Sequence, residues 1–162
     1  GLLMSAGPIV AALAGMPAGR AVDQFGARLI NVAGLALMGI GALFLARTQV
    51  AFGIAGYVIP LVTLTAGFAT FQASNNTGVM TGVEPEQRGV VSGLLNLSRN
   101  LGLITGASLM GAVFSAVSGA RDFTLADVDS IASGTQAAFS VATILVVSAL
   151  ILSVTPARRA SN

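Results

Sequence analysis

Six polar side chains interrupt two otherwise apolar runs: Gln72, Asn75 and Asn76 in the first, and Asn96, Arg99 and Asn100 in the second. Carboxamides neither give nor take protons near neutral pH, so the chemistry on offer is hydrogen bonding and, at Arg99, a permanent positive charge. The stretch Glu84-Pro-Glu-Gln-Arg88 separates the two runs. An α-helix rises 1.5 Å per residue, so an antiparallel hairpin centred between Pro85 and Glu86 sets Gln72 level with Arg99 and Asn75 level with Asn96, roughly 12 to 20 Å from the loop. Gln72, Asn75 and Asn76 share a helical face by i, i+3, i+4 spacing, and Asn96 and Arg99 share one by i, i+3. An arginine at that depth in a bilayer costs about 3 kcal/mol on insertion scales, which requires it to face protein or a water-filled cavity. The expectation is a polar seam inside a helix bundle, with Arg99 as its only formal charge.

The elements that would hold such a seam follow from composition. Apolar residues make up 54% of the chain and charged residues 9%, and the mean hydropathy is +0.86, where a soluble domain carries about a quarter charged residues. This is the profile of an integral membrane protein. The pI of about 10.5 comes from eight basic residues, all arginine, against six acids, with no basic run and one tyrosine, which argues against nucleic-acid binding. With no cysteine and no histidine, disulfides, thiol chemistry, Cys/His zinc sites and histidine acid/base catalysis are all excluded. An enzyme is not expected, nor a cofactor or metal. The chain opens Gly-Leu-Leu-Met within an apolar run and lacks the charged start of a signal peptide. It reads as part of something longer.

The pattern predicts an all-α membrane protein with five transmembrane helices, at about 2–18, 29–46, 51–80, 89–117 and 135–154. The third and fourth exceed one bilayer thickness and must tilt, kink or project, with Pro60 and Gly67 as kink points in the third. Pro85 and Glu86 suit the start of the fourth. Gly15-x-x-x-Gly19 and Gly102-x-x-x-Gly106 allow close helix packing. Thr124-Leu-Ala-Asp127 resembles a capping box opening a short interfacial helix. The neighbouring Asp122, Asp127 and Asp129 lack the ligand spacing and glycine of a calcium loop. Five spans leave Arg20, Arg28, Arg88, Arg158 and Arg159 on one side and Arg47 and Arg121 on the other, so the first side, including the C-terminus, is expected to be cytoplasmic.

The first loop on that side reads Gly19-Arg-Ala-Val-Asp23-Gln-Phe-Gly26-Ala-Arg28. It resembles the loop signature of the major facilitator superfamily at Gly19, Asp23, Gly26 and Arg28, and departs from it at Gln24 and Ala27, where basic residues are usual. Glycines permit a tight turn, and Asp23 is placed to sit near a helix N-terminus and pair with an arginine. Phe71-Gln-Ala-Ser-Asn-Asn-Thr-Gly-Val-Met80, Glu84-Pro-Glu-Gln-Arg-Gly89 and Ser92-Gly-Leu-Leu-Asn-Leu-Ser-Arg-Asn-Leu-Gly102 together resemble the late hairpin of fourteen-span drug:proton antiporters in that superfamily.

The resemblance implies the last five spans of a C-terminal bundle, whose N-terminal bundle lies upstream. It also implies proton-coupled export of small amphipathic compounds, in the bacterial inner membrane. Gln72, Asn75, Asn76, Asn96 and Arg99 are the candidate substrate-pathway residues. Gly19, Asp23, Gly26 and Arg28 would form a cytoplasmic gate, and Gly102 and Gly106 a packing face. Two readings of the polar residues stand: a substrate-facing wall near the midplane, or interhelical hydrogen bonding. Every acid lies in an expected loop, so a proton-coupling carboxylate is expected upstream of Gly1. The alternative from a different class is a non-transporting helical scaffold that associates through its glycine faces.

Overall fold

The computed structural model describes residues 2–47, 53–119 and 128–155. It holds five long helices: α1 (Leu2–Phe25), α2 (Ala27–Arg47), α3 (Gly53–Met80), α4 (Arg88–Ser118) and α5 (Val128–Val154), with one 3-10 turn, Pro85–Gln87, leading into α4. No strand occurs among the described residues. Helices α2 to α5 are each long and apolar enough to cross a membrane. Their backbone polar groups are satisfied within the segment, which is what hydrocarbon demands of any open-chain span.

The element bounds follow from local chemistry. α1 and α2 are joined by Gly26 alone, at φ +83°, a left-handed value that costs other residues about 1–2 kcal/mol. The Gly26 amide closes α1 by donating to Val22 O at 2.8 Å. α3 continues unbroken through Pro60 and through Gly67. Its hydroxyls are spent on its own carbonyls: Thr63 on Ile59, Thr65 on Leu61, Thr70 on Ala66, and Ser74 on both Thr70 and Phe71. Such back-bonding carries polar side chains through an apolar phase without an unpaired donor. Gln87 N donates to Glu84 O at 2.9 Å in the 3-10 turn, and α4 ends on the left-handed Gly119.

α5 begins at Val128, seven residues before the expected start at 135, because Asp129, Ser130 and Ser133 place polar groups in its first two turns ahead of the apolar run. Asp129 there suits the positive end of the helix. The capping box at Thr124 to Asp127 lies outside the described residues, as do Asp122, Arg121, Arg158 and Arg159.

α2 is the central helix, packed against α3 on one side and α5 on another; α1 leans mainly on α3, and α4 on α5. The buried apolar residues, Ala18, Val22, Ile30, Leu35, Ala42, Leu45 and Ala46, cluster on α1 and α2. The α2–α3 seam is antiparallel and glycine-lined. A Cβ on Gly34 would lie 2.6 Å from Phe71 N, one on Gly67 2.5 Å from Met38 N, and one on Gly41 2.6 Å from Leu64 N. All three pairs belong to one register, and small residues at such a seam let two backbones approach until van der Waals contact is continuous. At Gly67 the helix is therefore clasped by α2. Gly134 of α5 is likewise covered, its missing Cβ standing 2.8 Å from the Phe114 ring of α4.

Candidate functional site

α3 and α4 leave the Pro85 turn as neighbours, yet their backbones stay apart over most of their length. The gap is a cavity of about 360 Å³ lined by Phe68, Phe71, Gln72, Asn75 and Asn76 from α3 and by Leu95, Ser98, Arg99, Gly102 and Leu103 from α4. That volume lies in the range of small-molecule sites, which combine apolar walls with a few convergent polar groups. Both features are present: two phenylalanines and two leucines form the walls, and a carboxamide–guanidinium group crosses the gap.

That crossing is between Gln72 and Arg99. With the carboxamide in the orientation that the hydrogen-bond network dictates, Gln72 O accepts from Arg99 Nη1 at 3.1 Å and from Nη2 at 2.7 Å. Equal depth in the hairpin therefore becomes contact here. Asn75 and Asn96 stand at equal depth too, but no hydrogen bond joins them. Arg99 reaches across the gap on a long flexible stem, and a short asparagine cannot. Asn96 is exposed, and its carbonyl accepts from Asn100 Nδ2 at 3.0 Å within α4. Asn75 and Asn76 are half-buried on α3 and line the cavity.

Two further cavities adjoin the first. One, of about 550 Å³, is lined by Arg28, Asn31, Ser74, Asn75, Thr81 and Ser153 among others. Within it Ser153 Oγ donates to Asn31 Oδ1 at 3.2 Å, tying α5 to α2. The other, of about 500 Å³, is lined by Asn76, Thr77, Met80, Thr81 and Arg88. Asn75 and Asn76 thus each face two cavities, and the polar face of α3 runs from Gln72 to the end of the helix.

The signature-like residues lie around the α1–α2 turn. Gly26 supplies its positive φ; Asp23 is exposed in the last turn of α1, and Arg28 is exposed in the first turn of α2. Among the described residues Asp23 makes no ion pair. Gly19 faces open space, as do Gly102 and Gly106, where an added Cβ would meet nothing within 4 Å. The close packing expected at Gly102 and Gly106 is not made within this chain: Gly102 lines the cavity instead, and the tight seams fall at Gly34, Gly41, Gly67 and Gly134. Gly34 and Gly41, seven residues apart and so on one face of α2, carried the spacing signal that sequence reasoning passed over.

The geometry can be set beside known proteins. The family model described as Major Facilitator Superfamily matches residues 1–162. The uncharacterized transporter YebQ of Escherichia coli strain K12 is 30% identical over 110 residues, covering 68% of this chain and 24% of its own. The multidrug efflux pump LfrA of Mycolicibacterium smegmatis is 24% identical over 116 residues, covering 72% of this chain and 23% of its own. The chain spans about a quarter of the length of these relatives. No solved structure gives a significant match.

Proposed function

The chain belongs to the Major Facilitator Superfamily, and from that membership we propose that it forms the C-terminal part of a secondary active transporter that exports small amphipathic compounds by alternating access. The observation that carries this reading is the α3/α4 cavity, bounded by Phe68 and Phe71 and crossed by the Gln72–Arg99 hydrogen bonds. A scaffold has no use for a polar cavity at mid-helix depth, where each exposed charge costs insertion energy. A transporter does, because its cargo must leave water for a site near the midplane. Asn75 and Asn76 extend the cavity wall toward the Arg88 end, which in this reading opens to the cytoplasm. The relatives, one named as a transporter and one as a multidrug efflux pump, support a transport reading with export of small compounds.

Proton coupling enters through a carboxylate supplied by the rest of the protein. The acids among the described residues, Asp23, Glu84, Glu86 and Asp129, sit at helix ends or in the Pro85 turn. The turn bearing Gly19, Asp23, Gly26 and Arg28 would act as the cytoplasmic gate, with Asp23 engaging an arginine in one state of the cycle. The test is transport in proteoliposomes holding the intact protein under an imposed pH gradient. Gradient-driven movement of an amphipathic dye that Gln72→Ala and Asn75→Ala diminish is the expected outcome. A folded, reconstituted protein that moves no dye under any gradient would leave the scaffold alternative in its place.

A further inference from the structure

The three adjoining cavities share a feature that the transport reading does not require. Each carries one formal charge in its wall, and in each that charge is an arginine: Arg99 in the α3/α4 cavity, Arg88 beyond Asn76, and Arg28 beyond Asn75. None of the four described acids lines any of the three. Arg99 already gives two N–H groups to Gln72, but that partner is neutral and leaves the positive charge undischarged. A guanidinium has five donors in a planar fork that matches a carboxylate or sulfonate with two parallel bonds. The same fork repels a cation, and the low dielectric between two membrane helices strengthens both effects.

Resting on the transporter reading above, we infer that the cargo is anionic: an amphipathic carboxylate or sulfonate whose acid head binds Arg99 and whose apolar body lies against Phe68 and Phe71. Arg88 and Arg28 draw the anion toward the cavity mouths, and Asn75 and Asn76 supply neutral hydrogen-bond donors between the mouths and Arg99. Gln72 holds the guanidinium in place across the gap and cedes donors to the arriving acid. A cation meets three like charges on this route.

One fluorophore in three charge states tests this: dansylglycine, an anion; dansylglycinamide, neutral; and dansylcadaverine, a cation. Binding to the purified intact protein is read from dansyl fluorescence, and transport from movement into proteoliposomes under a pH gradient. The anion is expected to bind and move roughly tenfold or more better than the amide, as a charge-assisted pair does over a neutral one, with the cation last. Arg99→Gln is expected to bring the anion-to-amide ratio to near one, and Arg99→Lys to keep part of it. The ranking in the unmodified protein is informative even if a variant fails to fold. Movement of the amide or cation with no preference for the anion overturns the substrate class and leaves the transporter reading standing. An anion preference that survives Arg99→Gln in a folded protein keeps the substrate class and overturns Arg99 as the group that binds the acid head. No binding and no movement of any of the three overturns both.

Discussion

A single methyl group on Gly67 would lie 2.5 Å from the backbone nitrogen of Met38, so α2 and α3 meet at van der Waals contact of main chain on main chain. Backbone atoms on a helix cannot swing aside as a side-chain tip can. Gly67→Ala is therefore expected to force the helices apart at a cost of about 1–3 kcal/mol, the usual range for overpacking. A thermal-stability series on the purified protein should show a clear loss for Gly67→Ala and for Gly34→Ala. Unchanged unfolding temperatures would mean that the seam has slack.

Gly102 and Gly106 make the contrasting case. An added Cβ there meets nothing within 4 Å in this chain, so Gly106→Ala should leave stability unchanged, or raise it slightly through the better helix propensity of alanine. A larger residue at Gly102 enters the cavity it lines, and Gly102→Leu is expected to lower transport while the protein still folds. The same thermal series, run beside a dye-transport assay, separates the two effects.

The Gln72–Arg99 contact gives a double-mutant cycle. Gln72→Ala, Arg99→Gln and the double variant should show a coupling of about 0.6 kcal/mol, the mean for polar contacts between membrane helices, and no more than about 1.7 kcal/mol. Asn75→Ala with Asn96→Ala serves as the control pair and should be additive, because no hydrogen bond joins them. Coupling between the asparagines and none between Gln72 and Arg99 would reverse the assignment.

Gly26 isolates a pure backbone effect. Its φ of +83° is left-handed, and open space surrounds its missing Cβ, so Gly26→Ala costs conformational energy without a clash. The expected loss is about 1 kcal/mol, with Gly26→Asn milder because asparagine tolerates that region better. Equal stability for all three proteins would argue against the observed turn.

This chain contains no cysteine, so in the intact protein, with any cysteine outside this chain replaced, a single Glu84→Cys, exposed in the Pro85 turn, reports sidedness without background. Labelling by a membrane-impermeant maleimide is expected in inside-out vesicles and not in intact cells, placing the Arg88 end in the cytoplasm. The opposite pattern inverts the topology.

These cases show how much of the fold and site was legible in the sequence. Length and hydropathy marked out the helices, because a bilayer fixes how many apolar residues a span needs. Counting from the Pro85 turn brought Gln72 and Arg99 to one level, and the long arginine stem made level into contact. The same count could not predict that Asn75 and Asn96 stay apart, since rise per residue fixes depth and says nothing of how far two helices diverge. Glycine spacing likewise identifies a slim face without naming its partner. Gly102 and Gly106 carry the close-packing spacing yet meet no neighbouring backbone in this chain, whereas Gly34 and Gly41, for which the sequence reading held no expectation, do. The early start of α5 escaped hydropathy because Asp129, Ser130 and Ser133 read as loop when taken without the helix end they occupy.

The one-residue link at Gly26 has a bearing on how such a chain varies. Each residue of an α-helix turns the next by about 100°, and a connection of a single residue has no slack to absorb an extra one. An insertion beside Gly26 would rotate α2 about its own axis and carry Gly34 and Gly41 off α3, so a change in a surface turn would be felt as lost packing two to four helical turns away. The length of this exposed link is thus tied to the packing of α2 on α3 as well as to its own conformation.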